Sequence, residues 1–262
     1  MTVLTFFNHA GGVAKTSSVR DIGYVLAEAG NRVLLVDTDP QANLTRWLGV
    51  GSEVDLAQTI YPTVIAADPA SAPLPQPLRV HGMDLIPSSI KLAALERELV
   101  GIFMGVVRLR DALRATAQYD YILIDPPPSL GQLSALAVVA ADQVVVPLPT
   151  NRKGLDGLTT VMRMVKEYRR AAPGLRVAMF LLTQHDRRTR HDRESLAVIE
   201  SQLSEVAPVS SPLNQRPAYY SDAQVEGVPV PVYAPGSEAD VEIRRATAEL
   251  VAAVKGNSGG QA

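Results

Sequence analysis

An α/β fold, with a doubly wound, mostly parallel β-sheet flanked by helices, is predicted by three observations. The apolar run at residues 3–7 passes through a turn containing Gly11 and Gly12 into a helical repeat, giving strand, loop and helix in succession. Residues 33–36 and 121–124 form two apolar runs, the composition of parallel strands covered on both faces. Each run ends in an aspartate, Asp37 and Asp125, and in a doubly wound sheet the carboxyl ends of the strands share one edge.

Taken in order, the first strand leads to the loop Asn8-His9-Ala10-Gly11-Gly12-Val13-Ala14-Lys15-Thr16-Ser17. The helix after it carries Val19, Ile22, Leu26 and Ala29 on one face and stops at Gly30. A second strand at residues 32–36 follows, ending in Asp37-Thr38-Asp39-Pro40-Gln41-Ala42-Asn43. Residues 63–77, rich in Ala and Pro, read as the part of the chain without secondary structure, an ordered connection or small excursion rather than a domain boundary. The strand at 121–124 ends in Asp125-Pro126-Pro127-Pro128-Ser129, and another at 144–146 ends at Pro147. A last helix is expected over 239–255, with residues 256–262 as a disordered tail. Nothing resembling a linker divides residues 1–255, so one domain is expected. With the first strand starting at residue 2, no added N-terminal DNA-reading domain is expected.

The loop has the chemistry of a phosphate cradle. Gly11 and Gly12 let backbone N–H groups turn inward, Lys15 supplies an ammonium for phosphate oxygens, and Thr16 offers a hydroxyl to Mg²⁺. Helix opening at Lys15 adds a dipole that favours anions. The strict pattern G-x-x-x-x-G-K-[ST] is not met, because His9 and Ala14 hold its two glycine positions. Asp37, Asp39 and Asp125 should converge beside this loop, where carboxylates hold Mg²⁺ and position water. A dinucleotide-binding turn fits poorly: G-x-G-x-x-G is missing, and Lys15-Thr16 and Asp125 would have no role in it.

Three motifs in this order resemble the deviant Walker-A P-loop ATPases of the ParA/Soj type, relatives of MinD and of the nitrogenase iron protein. They are residues 10–16 for K-G-G-x-x-K-[ST], residues 37–43 for D-x-D-P-Q-x-N, and residues 125–129 for D-x-P-P-S. Further echoes are Thr183-Gln184-His185-Asp186, Pro212 with Asn214 and Arg216, and Val232-Tyr233-Ala234-Pro235. The resemblance covers almost the whole chain and implies ATP and Mg²⁺ as cofactors. It implies that Gly11, Gly12, Val13, Ala14, Lys15, Thr16 and Ser17 hold phosphates, while Pro212 and Asn214 contact adenine. Thr16 would coordinate the metal, Asp37 would support its shell, and Asp125 would reach it through water. Asp39 would orient the attacking water and, with Lys15, carry catalysis. The chain departs from the family at Ala10, where a lysine normally reaches across an ATP-dependent homodimer. His9 sits next to that vacancy, Arg152 and Lys153, after the strand that ends near Pro147, are candidate replacements, and the sequence does not choose among them.

Composition sets outer limits. The 262 residues are 47% hydrophobic, enough for one large core. Without cysteine there is no disulfide, iron–sulfur cluster or thiolate metal site. The four histidines lack zinc-ligand spacing, and His185-Asp186 and His191-Asp192 read as solvated loop groups. No run is long enough to span a bilayer, and the last helix has no aromatic anchor, so no membrane attachment is expected and the location is cytoplasmic.

A net charge of −2 gives no general affinity for nucleic acid, but Arg187, Arg188, Arg190 and Arg193 lie within seven residues and Arg216 follows later. The resemblance places Arg188 and Arg216 in a patch that binds duplex DNA without sequence preference, and Arg187 and Arg190 extend it. It further implies a chromosome- or plasmid-partitioning ATPase on the nucleoid, stimulated by a ParB-like centromere-binding protein. Two rivals are a ParA-like ATPase that positions protein cargo and a metabolic P-loop ligase of the dethiobiotin or cobyrinate-synthetase type.

Overall fold

The computed structural model describes residues 1–51, 53–68 and 73–258. Seven strands, β1 (Thr2–Phe6), β2 (Val33–Asp37), β3 (Leu78–Val80), β4 (Met83–Ile86), β5 (Tyr121–Asp125), β6 (Gln143–Pro149) and β7 (Arg176–Thr183), form one sheet in the order β3-β4-β2-β5-β1-β6-β7. All neighbours run parallel except the edge pair β3–β4. β1 starts at Thr2, and β2 and β5 occupy the two apolar runs and are buried almost throughout. The doubly wound, mostly parallel architecture expected from the sequence is therefore present.

Helices cover both faces. On one side lie α1 (Lys15–Glu28), α2 (Asn43–Arg46), α9 (Pro217–Glu226), α10 (Val230–Tyr233) and α11 (Glu238–Ser258), around a core that includes Leu4, Ile22, Leu35, Leu123 and Ile243. On the other lie α3 (Tyr61–Ile65), α4 (Ala93–Glu98), α5 (Arg108–Arg114), α6 (Gln132–Ala140), α7 (Arg152–Tyr168) and α8 (Arg190–Leu203), around Val36, Ile122, Leu136, Val146 and Phe180. α1 lies tight on the sheet at Gly23, where a Cβ would stand 2.8 Å from the Leu35 side chain.

Four segments differ from the sequence expectation. β6 runs through Pro147 to Pro149; β1 has ended by then, and the β6 residues from Val146 onward are paired with β7 alone, so the missing proline N–H groups cost no ladder bond to β1. The 63–77 stretch begins inside α3, and residues 69–72 lie outside the described residues. The hairpin β3–β4, turning at His81 and Gly82 with φ of 44° and 80°, was not foreseen. α11 reaches Ser258, within the expected tail, and residues 259–262 lie outside the described residues.

Candidate functional site

The loop after β1 wraps around its own lysine. Gly12 and Ala14 take φ of 67° each, and α1 begins at Lys15 directly after Ala14. Ala14 thus adopts the left-handed conformation that glycine adopts freely, at one of the glycine positions of the strict pattern. The Lys15 ammonium, in a residue only 6% exposed, donates to the Ala10 carbonyl at 2.9 Å. Carbonyls on the opposite edge of the loop are held from β7: the Thr183 hydroxyl donates to Val13 O at 3.2 Å and the Gln184 amide to Gly12 O at 2.9 Å. These two bonds tie the Gly12–Val13 part of the loop to the end of β7.

Register brings the carboxylates together. Asp37 and Asp125 are paired positions on β2 and β5, and both are fully buried. Asp37 is saturated: it accepts the Asp39 N–H at 3.1 Å, the Thr45 N–H at 3.0 Å and the Thr45 hydroxyl at 2.7 Å. Neither Asp125 oxygen has a formed hydrogen bond. Burial and then the Asp37 charge push the Asp125 carboxyl well above the usual carboxylate range, offset in part by the Thr16 hydroxyl and the Lys15 ammonium. Burial likewise raises Asp37, to about 7, and Asp39, the latter held back by the Gln41 N–H and by Lys15. Buried carboxylates with the Thr16 hydroxyl beside them have the oxygen-donor chemistry that suits a divalent cation.

Two adjoining pockets flank the loop. One, of about 220 Å³, is lined by Lys15, Thr16, Asp39, Asn43 and Pro128. The other, of about 310 Å³ and mainly apolar, runs from Ser18 and Asp21 to Leu213, Asn214, Tyr220 and Ile243. Both share Gly12, Ala14, Ser17 and Trp47. Val13 also belongs to the phosphate-side wall, and Gly11 stands at its exposed outer turn. Asn214 lies in the second pocket, its N–H donating to Glu242 at 2.9 Å and its side-chain amide to the same carboxylate. Pro212 is not among the lining residues; its carbonyl accepts from Arg245.

The arginines divide into two groups. Arg187, Arg188 and Arg190 stand exposed on the β7–α8 connection and the start of α8, Arg188 paired with Asp186 and Arg190 with Glu194. Ion pairs this exposed contribute little and yield readily to another anion. Arg216 differs: its side chain is 22% exposed, bound to Glu238 and Glu242 and set in the pocket wall rather than on an open surface. The two loops nonetheless run side by side, with Gln215 N–H donating to His185 O at 2.9 Å.

Expected solvation fails at two residues here. His185 and Asp192 are buried: His185 Nδ1 meets the Thr150 hydroxyl at 2.9 Å, and Asp192 accepts the Asp186 N–H at 2.9 Å. Around Ala10, the exposed Arg152 lies 3.7 Å from Asp156, burial and Lys15 lower the His9 pKa, and the Lys153 side chain lies outside the described residues. Trp47 and Thr45 are site residues that the sequence did not single out, although both closely follow the 37–43 motif, and Gln184 was named only within the 183–186 echo.

Comparison with known proteins agrees with this geometry. A family model described as an AAA domain matches residues 1–177. A probable plasmid-partitioning protein ParA from Thermus thermophilus is 43% identical over 256 residues, which is 95% of this chain and 78% of that protein. The sporulation initiation inhibitor protein Soj from Bacillus subtilis is 36% identical over 238 residues, 90% of this chain and 92% of Soj. Among solved structures, cobyrinic acid a,c-diamide synthase from Mycobacterium smegmatis with bound ADP and magnesium has a TM-score of 0.81 at 30% identity, covering 97% of this chain and 96% of that one. An ATP complex of McdA from Cyanothece has a TM-score of 0.83 at 21% identity, covering 97% and 96%, a likeness of fold.

Proposed function

This chain belongs to the ParA/Soj family of P-loop ATPases, and from that premise we propose that it is a DNA-partitioning ATPase. It binds ATP with Mg²⁺, dimerises in that state, binds duplex DNA without sequence preference on the nucleoid, and is reset by slow hydrolysis that a ParB-like protein stimulates. The observation that carries this reading is the meeting of Lys15, Thr16, Asp39 and Asp125 at one edge of the sheet, beside a second pocket of nucleoside size.

Mg·ATP supplies a reactive phosphoanhydride and a divalent charge; the chain supplies positions. Lys15 exchanges its bond to Ala10 O for phosphate oxygens, an ammonium already desolvated and aimed along the loop. Thr16 and Asp125 would hold the metal, and Asp37, bonded to Thr45, fixes the segment that carries Asp39. Asp39 lines the phosphate pocket with one oxygen held by Gln41 N–H, which leaves the other to orient a water. The apolar second pocket, lined by Leu213, Asn214 and Ile243, would take the base and sugar.

Lys15→Ala and Asp39→Ala separate binding from turnover. Lys15 meets ground-state phosphate charge, so its loss abolishes ATP binding in a calorimetric titration. Asp39→Ala binds ATP as wild type does and releases phosphate at least about a hundredfold more slowly, within the range for a positioned acid–base group. Wild-type phosphate release from Asp39→Ala would remove that residue from the reaction. The 30% identity to the M. smegmatis diamide synthase favours one other reading, a ligase acting on a small acid. Such an enzyme would turn ATP over only with that acid present and would not retain DNA.

A further inference from the structure

Trp47 is the only tryptophan of the chain and follows α2 directly, its N–H donating to Asn43 O at 2.9 Å. It is half-buried. On one side it borders the phosphate pocket with Asp39 and Asn43; on the other it borders the apolar pocket with Ser18, Asp21 and Tyr220. Among the described residues, the other members common to both walls, Gly12, Ala14 and Ser17, all belong to the phosphate loop and the first turn of α1. Trp47 alone brings a large side chain to that junction from elsewhere in the chain.

Its backbone is fixed. Two residues earlier, Thr45 gives both N–H and hydroxyl to Asp37, and the same hydroxyl accepts the Ser88 N–H at 2.9 Å. An indole so placed has an uncharged face with nothing to offer a phosphate but much to offer a base or sugar, since aromatic faces stack on bases of any sequence. The junction is also where sugar must pass if phosphates lie on the Lys15 loop and the base lies beside Leu213 and Ile243.

We propose that Trp47 is a nucleoside-contacting residue, packing its indole face on the sugar and base of the bound purine nucleotide. The inference rests on the nucleotide reading of this site and adds a residue of the 37–47 segment to the base-side wall. Through Thr45, that segment also joins the base-side wall to Asp37, so nucleoside contact and the carboxylate cluster share one short helix.

The test compares Mg·ATP with inorganic tripolyphosphate, which offers the loop its charge without a nucleoside. Calorimetric titration of Trp47→Ala should show ATP affinity reduced by on the order of tenfold or more, the loss of one stacking contact, with tripolyphosphate affinity unchanged. Trp47→Phe should recover most of the ATP affinity. In wild type, the emission of this single tryptophan should change with ATP and not with tripolyphosphate, a measurement that needs no variant to fold. Equal losses for both ligands in Trp47→Ala, or identical emission changes with both, would overturn the proposal in favour of a purely structural role. Wild-type ATP affinity in Trp47→Ala would overturn it while leaving the nucleotide site intact. A wild-type protein that binds neither ligand would overturn both readings together.

Discussion

The carboxylates that define the site are, before nucleotide arrives, a liability. Asp125 is buried, lacks a formed hydrogen bond and faces Asp37 across paired strands. Burial holds Asp37 up to about 7 and Asp125 well above its ordinary value, so each contributes stability that is present at low pH and lost as pH rises through the folded-state value. The nucleotide-free, magnesium-free protein should therefore melt at lower temperature at pH 8 than at pH 6. Asp125→Asn should flatten that slope and raise the melting temperature at pH 8 by at least about 2 °C, the shift expected from ~1 kcal/mol in a domain of this size. Calorimetry across pH 6–8 checks this, and a steeper slope in Asp125→Asn would contradict it. The exposed Asp120 and Asp186, held down to about 2 by Arg32 and Arg188, act with the opposite sign and only in acid, whereas His9, lowered by burial and Lys15, offsets part of the trend near pH 6.

At the scale of elements, α6 shows how the site is braced from outside. Its first N–H groups have no cap from their own chain segment; Glu96 of α4 accepts Gln132 N–H at 2.6 Å and Leu133 N–H at 2.9 Å. A Cβ on Gly131 would stand 1.9 Å from that carboxylate, so the contact requires glycine there. Glu96→Ala leaves two donors unpaired at a helix start and should cost about 1–3 kcal/mol by denaturant unfolding. A loss below ~0.5 kcal/mol would mean that water replaces the cap.

How far the sequence reveals such elements depends on what fixes them. β1, β2, β5 and α1 are legible because burial on both faces, or on one stripe, leaves a run or period in the residues themselves. The β3–β4 hairpin is not, since a three-residue edge strand with only its middle residue exposed carries too little pattern. The end of β6 was misplaced at Pro147 because β1 pairs with it only as far as Val145 while β7 pairs with it on to Pro149, a fact of tertiary pairing. Asp37, Asp39, Asp125 and Lys15 were readable from motif and topology together. His185, Asp192, Arg216 and Trp47 were not, because charge and aromaticity do not say which side of a packed loop a residue faces.

For the whole molecule, the proposed dimer and DNA contacts turn on a few cationic side chains. The family lysine is Ala10, whose carbonyl instead receives Lys15, while His9 is kept neutral and Arg152 stands at the surface beside Asp156. Ala10→Lys should restore a charge-assisted contact from each subunit and tighten ATP-dependent dimerisation at least about tenfold in sedimentation with a non-hydrolysable analogue. Unchanged or weaker association would show that another group already fills the position. For DNA, the exposed Arg188 should matter more than Arg216, which is spent on Glu238 and Glu242. Arg188→Glu should weaken retention without altering ATP affinity, whereas Arg216→Glu should disturb the base-side pocket as well.

No helix among the described residues is long and apolar enough to cross a membrane. The proposed switch of this molecule onto DNA by ATP at the Lys15 loop is tested by titrating the wild-type protein into a labelled duplex of arbitrary sequence. The titration is run without nucleotide, with Mg·ADP and with Mg·ATP, at low and moderate salt. Retention is expected with Mg·ATP alone, falling steeply as salt rises because the proposed contacts are to phosphates. Retention that is equal in all three nucleotide states, or absent in all of them, would contradict it.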